Sequence, residues 1–396
     1  MWLYGDASIV VRTIDSTKVR TPKKHVSPIA TSAANLGNGQ ITFGPRELAE
    51  AMVRSSLSRD PTAVDSFMLG LGNWLRLQRA VTRVGGEALR FVEGYRDALR
   101  DSALTSLSGE LGQAITYLIA RKFFGKRHVV DFGHACSRVG VAPPTVNETR
   151  PDFAGTDNAF ASLDLFESKG TIPGVGATVD WKDSLREGLG QVDAGVARLA
   201  PTPVDRGWAV AVALRCEADA EPSEIAVADP PGEDAVELAP GRRGALVDLH
   251  YAAWLTTVGA LEAARLLARA VPEGGATIRG VVLEFAEREW FVPVWNEPSL
   301  FHHLCLPWSS EAPQDSGWPL RAIELELVRH LSRGQFLGED YDWPAERAED
   351  LEGDGPEGVV FNDGTAVIRR PVDDQLRIID ELEIQLARQP GGNQFR

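Results

Sequence analysis

Lysine is scarce in this chain. It occurs 7 times against 34 arginines, and none lies beyond Lys182. A lysine at a particular place therefore asks for a reason. Cysteine is rarer still, and Cys136, Cys216 and Cys305 stand far apart. An odd, sparse set supplies neither a disulfide framework nor metal-ligand spacing, and it fits a reducing compartment. No run of about 18 apolar residues occurs, which excludes an apolar spanning helix and any expectation of membrane insertion. The opening residues Met1-Trp2-Leu3-Tyr4-Gly5-Asp6 lack a basic segment followed by an apolar one. No secretory signal is expected, and the expected location is cytoplasmic. Surplus positive charge is also missing. The net charge of -15 argues against a protein that coats nucleic acid by bulk electrostatics.

What is present is an ordinary globular composition. The chain has 396 residues, 43% of them hydrophobic and 24% charged, enough for two or three structural units with sizeable cores. The charge is uneven. Residues 301–396 hold 19 Asp and Glu against 9 Arg, a net of -10. The first 300 residues carry only about -5.

The pattern divides the chain into three regions. Residues 1–103 are expected to be a mostly helical region: 1–43 read as extended and turn-rich, with a strand at Ser8–Arg12, and the pattern turns helical from Pro45, a first-turn residue, with Leu71, Leu75 and Leu89 at helical spacings. The locally basic stretch Lys18–His25 reads as a solvated loop. Residues 104–300 alternate strands with helices, which argues for an α/β core. A helix is expected at 108–124, capped by Ser108, with Leu111, Ile115, Leu118 and Ile119 on one face. Strands follow at His128–Phe132 and Leu163–Lys169, with Pro143 and Pro144 placing a loop between them. A helix at 184–199 opens on the capping box Ser184-Leu185-Arg186-Glu187. Two further strands, Trp208–Leu214 and Glu224–Ala228, precede a nearly uncharged helix, His250–Val271. A hairpin spans Ile278–Phe285 and Trp290–Val294.

Residues 301–396 form the acidic region. A helix is expected at 319–333, an acidic linker over Gly338–Gly355, and a hairpin turning on Asn362-Asp363-Gly364. A last helix at 372–388 carries an apolar stripe of Leu376, Ile379, Leu382 and Leu386. That stripe must be covered by the body of this chain or by a second one, and with the charge it favours a homodimer or a partner protein contacted through this region. The fold class expected overall is α/β. A mixed sheet is flanked by helices, with a helical N-terminal region and a small acidic C-terminal α+β unit.

One constellation carries chemistry. Arg150-Pro151-Asp152-Phe153 precedes Leu163-Asp164-Leu165-Phe166-Glu167-Ser168-Lys169-Gly170. On a strand, alternate side chains share a face, so Glu167 and Lys169 point the same way. Asp152, at the start of a preceding strand or turn, can sit beside Glu167. Two carboxylates offer hard oxygen ligands to Mg²⁺, which polarises a phosphoryl oxygen and acidifies water. A nearby ammonium is a compact charge for orienting that water or neutralising the transition state.

These residues resemble the PD-(D/E)XK nuclease superfamily, with Pro151-Asp152 as the first half of its motif and Glu167-Ser168-Lys169 as the second. The resemblance covers about residues 105–230. It implies a restriction-endonuclease-like fold and Mg²⁺-dependent hydrolysis of DNA phosphodiesters, Mn²⁺ substituting. It points to restriction or phage defence first and repair second. It implies a glutamate from the preceding helix in the metal site, for which Glu110 is the candidate. It also implies a glutamine on the helix after the lysine-bearing strand, which falls on Gln191 between Gly188 and Gly195. The bland alternatives are a cross-strand charge pair for Glu167 and Lys169, a turn residue for Asp152, a dipole-favoured acid for Glu110 and a solvated Gln191. The competing function is a non-catalytic scaffold or binding subunit of a nucleic-acid-processing assembly.

Other signals are weak. His302 and His303 are adjacent, which seldom suits one metal. Gly174-Val175-Gly176 lacks the third glycine of a dinucleotide fingerprint.

Overall fold

The structure is a computed structural model. It describes residues 6–16, 19, 39–56, 72–73, 75–145, 147–156, 163–200, 202, 204–229, 240–258, 260–268, 274–293, 319–333, 341–344, 347–349, 357–369 and 378–388. Most of the basic stretch 18–25, Leu71, His302, His303, Cys305, Leu376 and most of the acidic stretch 338–355 lie outside the described residues.

The chain divides into two compact units. One comprises residues 1–60 and 68–250, the other 61–67 and 251–396. The expected boundaries at 103/104 and 300/301 thus fall inside units rather than between them. Long-range strand pairing is the reason. Residues 10–15 pair in parallel with 224–229, and residues 274–283 pair with 378–388.

The first unit is mixed α/β. Its elements are β1 (Ala7–Asp15), β2 (Gly39–Phe43), α1 (Pro45–Ser56), β3 (Val81–Val84), β4 (Ala88–Phe91), α2 (Glu93–Ala98), α3 (Asp101–Leu118), β5 (His128–Asp131) and α4 (Phe132–Arg138). After them come β6 (Phe153–Thr156), β7 (Leu163–Thr171), α5 (Trp181–Leu199), β8 (Arg206–Ala213) and β9 (Glu224–Asp229). The sheet runs β3-β4-β1-β9-β8-β7-β6-β5, with β2 also paired to β1. β5, β6 and β7 form an antiparallel meander. β7 and β8 are parallel, with α5 as the crossover between them.

The described part of residues 1–103 mixes helix and strand rather than being a helical region apart from the sheet. Four short strands join the sheet, and Leu89 lies in β4 rather than on a helix. Its side chain is buried in the sheet's core, where alternation rather than helical spacing decides orientation.

Two layers of helix cover the sheet. Leu107, Leu111, Ala114, Ile115 and Leu118 make the apolar stripe of α3, and they pack with Phe166, Trp208, Val210 and Val212 in one core cluster. Burying each leucine stabilises the fold by about 1.5–3 kcal/mol. On the opposite face, Leu185 and Leu189 of α5 pack with Ala209, Ala211, Ala226 and Ala228. Along β8 the large residues face α3 and the alanines face α5. α5 can therefore lie close to the strands.

Two helix starts differ from expectation. α3 begins at Asp101, so Ser108 is not its N-cap; Ser108 Oγ instead donates to Thr105 O within the helix. α5 begins at Trp181 and is capped by Asp180, whose Oδ1 accepts from Lys182 N and Asp183 N at 3.1 and 3.3 Å. The capping box at 184–187 is not used, which leaves Glu187 free for other work.

The second unit holds a seven-stranded antiparallel sheet. Its order is β13 (Arg347–Glu349), β14 (Glu357–Val360), β15 (Thr365–Arg369), β12 (Pro319–Glu324), β11 (Arg288–Pro293), β10 (Gly274–Phe285) and β16 (Ile378–Arg388). Two expected hairpins are present. β10 and β11 turn at Ala286 and Glu287, both at positive φ. β14 and β15 turn at Asn362-Asp363-Gly364, where Gly364 has φ 74°.

Three expectations fail here. Residues 319–324 are a strand, and only Leu325–Ser332 (α8) is helical. The uncharged helix is two helices, α6 (Pro240–Thr257) and α7 (Leu261–Leu267). The expected last helix is β16. Its residues 382–386 alternate, with Ile384 and Leu386 buried and Glu383 and Gln385 exposed. Leu-Glu-Ile-Gln-Leu has period two, and pairing with β10 selected it over the helical stripe. Of the residues in the expected stripe, Leu386 is buried within this chain and Leu382 half-buried, while Leu376 lies outside the described residues. Among the described residues, no helix is long and apolar enough to cross a membrane.

Candidate active site

β7 is longer than its neighbour β6. Their pairing stops at Phe153 opposite Phe166, whereas β7 continues to Thr171 alongside β8. Among the described residues, the edge of β7 beyond Phe166 has no strand partner on the β6 side. The site is built on that edge.

Asp152 stands at the entrance to β6, immediately before Phe153. Its amide donates to Phe166 O at 3.0 Å. Its Oδ2 accepts from Ser168 N, and its Oδ1 from Gln113 Nε2, both at 3.0 Å. The carboxylate thus satisfies a backbone donor that β6 leaves open. Glu167 follows on β7 and is buried, 2% exposed. Its Oε1 meets Lys169 Nζ at 2.9 Å. Its Oε2 is buried and has no hydrogen-bond partner among the described residues.

Lys169 is gripped from three sides. Besides Glu167, its Nζ meets Glu187 Oε1 at 2.8 Å and donates to Gln191 Oε1. Gln191 in turn donates through Nε2 to Arg150 O at 3.1 Å, which ties α5 to the segment entering Asp152. Glu187 and Gln191 lie one turn apart on α5. With Thr149, Asp183, Arg186 and Gly190 they line an open depression beside the site.

Small residues make these contacts possible. A Cβ on Gly195 would lie 2.7 Å from Pro151 Cγ and Cδ, and one on Gly188 would lie 2.9 Å from Ala209 Cβ. The glycines flanking Gln191 therefore serve close packing of α5 on Pro151 and β8. α3 approaches on the other face in the same way. A Cβ on Gly170 would fall 1.9 Å from Ser108 O, and one on Gly112 would fall 2.8 Å from Gly170 Cα. This contact brings Gln113 to Asp152.

The electrostatics are those of crowded, buried acids. Burial raises Asp152 to about 6, against the donors Ser168 and Gln113, and Asp131 adds to the rise. Burial and the charge of Asp152 together raise Glu167 to about 8, against the pull of Lys169. Burial presses the Lys169 ammonium downward, but Glu167 and Glu187 outweigh it and the net direction is up. Lys169 is a charged ammonium at neutral pH, whereas the two carboxyls cannot both ionise readily.

Four of the five expected residues come together: Asp152, Glu167, Lys169 and Gln191. Glu110 does not join them. It sits in the middle of α3, where its Oε2 meets Arg76 Nη1 at 2.5 Å and its Oε1 accepts from Ser106 Oγ at 2.8 Å. Because α3 starts at Asp101, Glu110 is not a first-turn acid, and Gln113 is the residue of this helix that reaches Asp152. Sequence reasoning missed Gln113 and Glu187. The available signals were Gly112 in an apolar helix and Gly170 directly after the lysine, both marks of close backbone approach. Among the described residues, no group of three or more His, Cys, Asp or Glu side chains is arranged to hold a metal ion.

β7 also carries Asp164, on the face away from Glu167. It pairs with Lys126 Nζ at 3.0 Å and accepts from Trp208 Nε1 at 2.9 Å. This buried ion pair anchors the strand rather than facing the site.

Family models, curated proteins and solved structures yield no match to this chain.

Proposed function

We propose that this chain is a metal-dependent nuclease whose active site is Asp152, Glu167 and Lys169, supported by Gln191. The observation that carries the reading is the unpartnered Glu167 Oε2. A buried carboxylate oxygen without a donor is unfavourable by roughly 1–3 kcal/mol or more. A divalent cation shared with Asp152 satisfies it with hard oxygen ligands. The element order supports the same reading: helix α3, the meander β5-β6-β7, crossover helix α5 and parallel strand β8. That is the order the PD-(D/E)XK resemblance implies.

The residues present fit the cation, and Asp152 and Glu167 would hold it. A cation there would supply Lewis acidity toward a phosphoryl oxygen and a water molecule. Lys169 contributes an ammonium beside Glu167, placed to neutralise charge developing on the scissile phosphate. Gln191 and Glu187 aim that ammonium.

The net charge of -15 favours a second reading, a non-cleaving binding subunit with the same site geometry. A plasmid assay separates the two. Wild-type protein with Mg²⁺ or Mn²⁺ should nick supercoiled DNA. Asp152→Asn and Lys169→Ala should melt like wild type and lose at least 100-fold in rate. Undiminished nicking by a folded Lys169→Ala protein would remove this lysine from the chemistry. No nicking by wild type on duplex, single-stranded DNA or RNA would leave only the binding reading.

A further inference from the structure

We infer that Gln113 is a positioning residue for Asp152, and that the Gly112–Gly170 contact sets its reach. The inference rests on reading Asp152 and Glu167 as a cation site.

Asp152 lies just outside β6. Regular strand pairing does not fix its side chain. Two donors do. Ser168 N holds Oδ2 and Gln113 Nε2 holds Oδ1, each at 3.0 Å. The first belongs to the backbone of β7 and is present whatever side chain stands at 168. The second depends on one side chain arriving from a helix on the far layer. It arrives because α3 and β7 meet through two glycines, with the space for a Cβ at Gly112 and at Gly170 already filled by backbone. A helix separated by even an alanine methyl would carry Gln113 out of hydrogen-bond range.

The donor type matters as well as its position. A carboxylate oxygen that accepts one hydrogen bond keeps a lone pair for a cation. Both oxygens of Asp152 are in that state, and their directions are set. The amide adds no charge, so it brings no further carboxylate to Asp152 and Glu167. The acid that the helix might have supplied, Glu110, is engaged with Arg76 instead. Such a site binds a cation weakly alone and depends on correct aim of its few ligands. Losing an outer partner of a ligating group typically weakens metal binding 10- to 100-fold.

The test uses the full chain and Mn²⁺ alone, by titration calorimetry, on wild type, Asp152→Asn, Gln113→Met and Gln113→Ala. Methionine keeps the length of glutamine and removes the donor. Gln113 is only partly buried, so both variants should melt like wild type. The expected result is Mn²⁺ affinity reduced 10- to 100-fold in both Gln113 variants and abolished in Asp152→Asn. In the nicking assay, the Mn²⁺ concentration giving half-maximal rate should rise by the same factor while the rate at saturating Mn²⁺ stays within about threefold. A purely structural role would lower the melting temperature and leave the Mn²⁺ midpoint unchanged. Affinity within twofold of wild type in a folded Gln113→Met protein would overturn the inference and leave the cation site standing. Wild-type protein that binds no Mn²⁺, or that binds it no better than Asp152→Asn, would remove the cation site and this inference with it.

Discussion

Glu167→Gln offers the sharpest division between a metal ligand and a structural ion pair. Gln has nearly the same shape but cannot ionise. Burial and Asp152 raise Glu167 from 4.5 to about 8. A carboxyl raised in the fold favours the folded state most when protonated. That advantage is fully present below pH 4.5 and is lost as pH rises toward 8. At about 1.4 kcal/mol per pH unit, ionised Glu167 weakens the fold by on the order of 3–5 kcal/mol. At pH 5 wild type already carries the protonated form, and the variant should be within about 1 kcal/mol of it. At pH 9 the variant should be more stable by a few kcal/mol in EDTA. Lys169 retains Glu187 and Gln191 as partners, so it is not stranded. Mn²⁺ at pH 8 should stabilise wild type by mass action and leave the variant unchanged. Urea unfolding at pH 5, 7 and 9, with EDTA and with Mn²⁺, measures all of this. A variant less stable than wild type at every pH would show that the ion pair with Lys169 is what Glu167 is for, and the reasoning would fail.

Two further changes probe the geometry. Gly112→Ala should lower stability by roughly 1–3 kcal/mol, as overpacking does, because its Cβ would meet Gly170 Cα at 2.8 Å and Gly170 N at 2.9 Å. It should also weaken Mn²⁺ binding more than an alanine at Gly109, where a Cβ meets nothing within 4 Å; equal effects in melting and calorimetry would dismiss the contact. Glu187→Gln removes an exposed acid that holds Lys169 and repels a polyanion. Binding of catalytically dead protein to a duplex oligonucleotide should tighten severalfold at low salt, the gain shrinking as salt screens it. Unchanged affinity across the salt series would show that Glu187 does not face the substrate.

The site was legible because its parts are local. Glu167 and Lys169 are two residues apart on an apolar strand, and alternation alone puts them on one face. Pro151-Asp152 needed only a turn to bring it alongside. Gln191 was named only because the resemblance implies a glutamine on that helix, with the glycines at 188 and 195 marking close approach around it. Glu110 was misplaced because its candidacy depended on where α3 starts, and Asp101 in the first turn moved the start seven residues earlier than Ser108. The aim of a helical side chain changes by about 100° per residue. A wrong start therefore hides which of Glu110 and Gln113 turns inward. β16 was misread because the helical spacing of Ile379, Leu382 and Leu386 coexists with the period two of Leu382, Ile384 and Leu386.

By itself the sequence determined the elements around the site to within a few residues: the strands read at 128–132, 163–169 and 208–214, the helix before them, the crossover helix between the last two, and the glycine turn at Asn362-Asp363-Gly364. These depend on alternation, apolar stripes and turn chemistry, which act over a few residues. Only the tertiary structure decided that residues 10–15 complete a sheet with 224–229, that 274–283 takes 378–388 as its partner, and that Gln113 rather than Glu110 reaches Asp152. Each of these is a choice between near-equal local options. It is settled by which apolar surfaces are buried together, and that information is spread over hundreds of residues rather than written in any one segment.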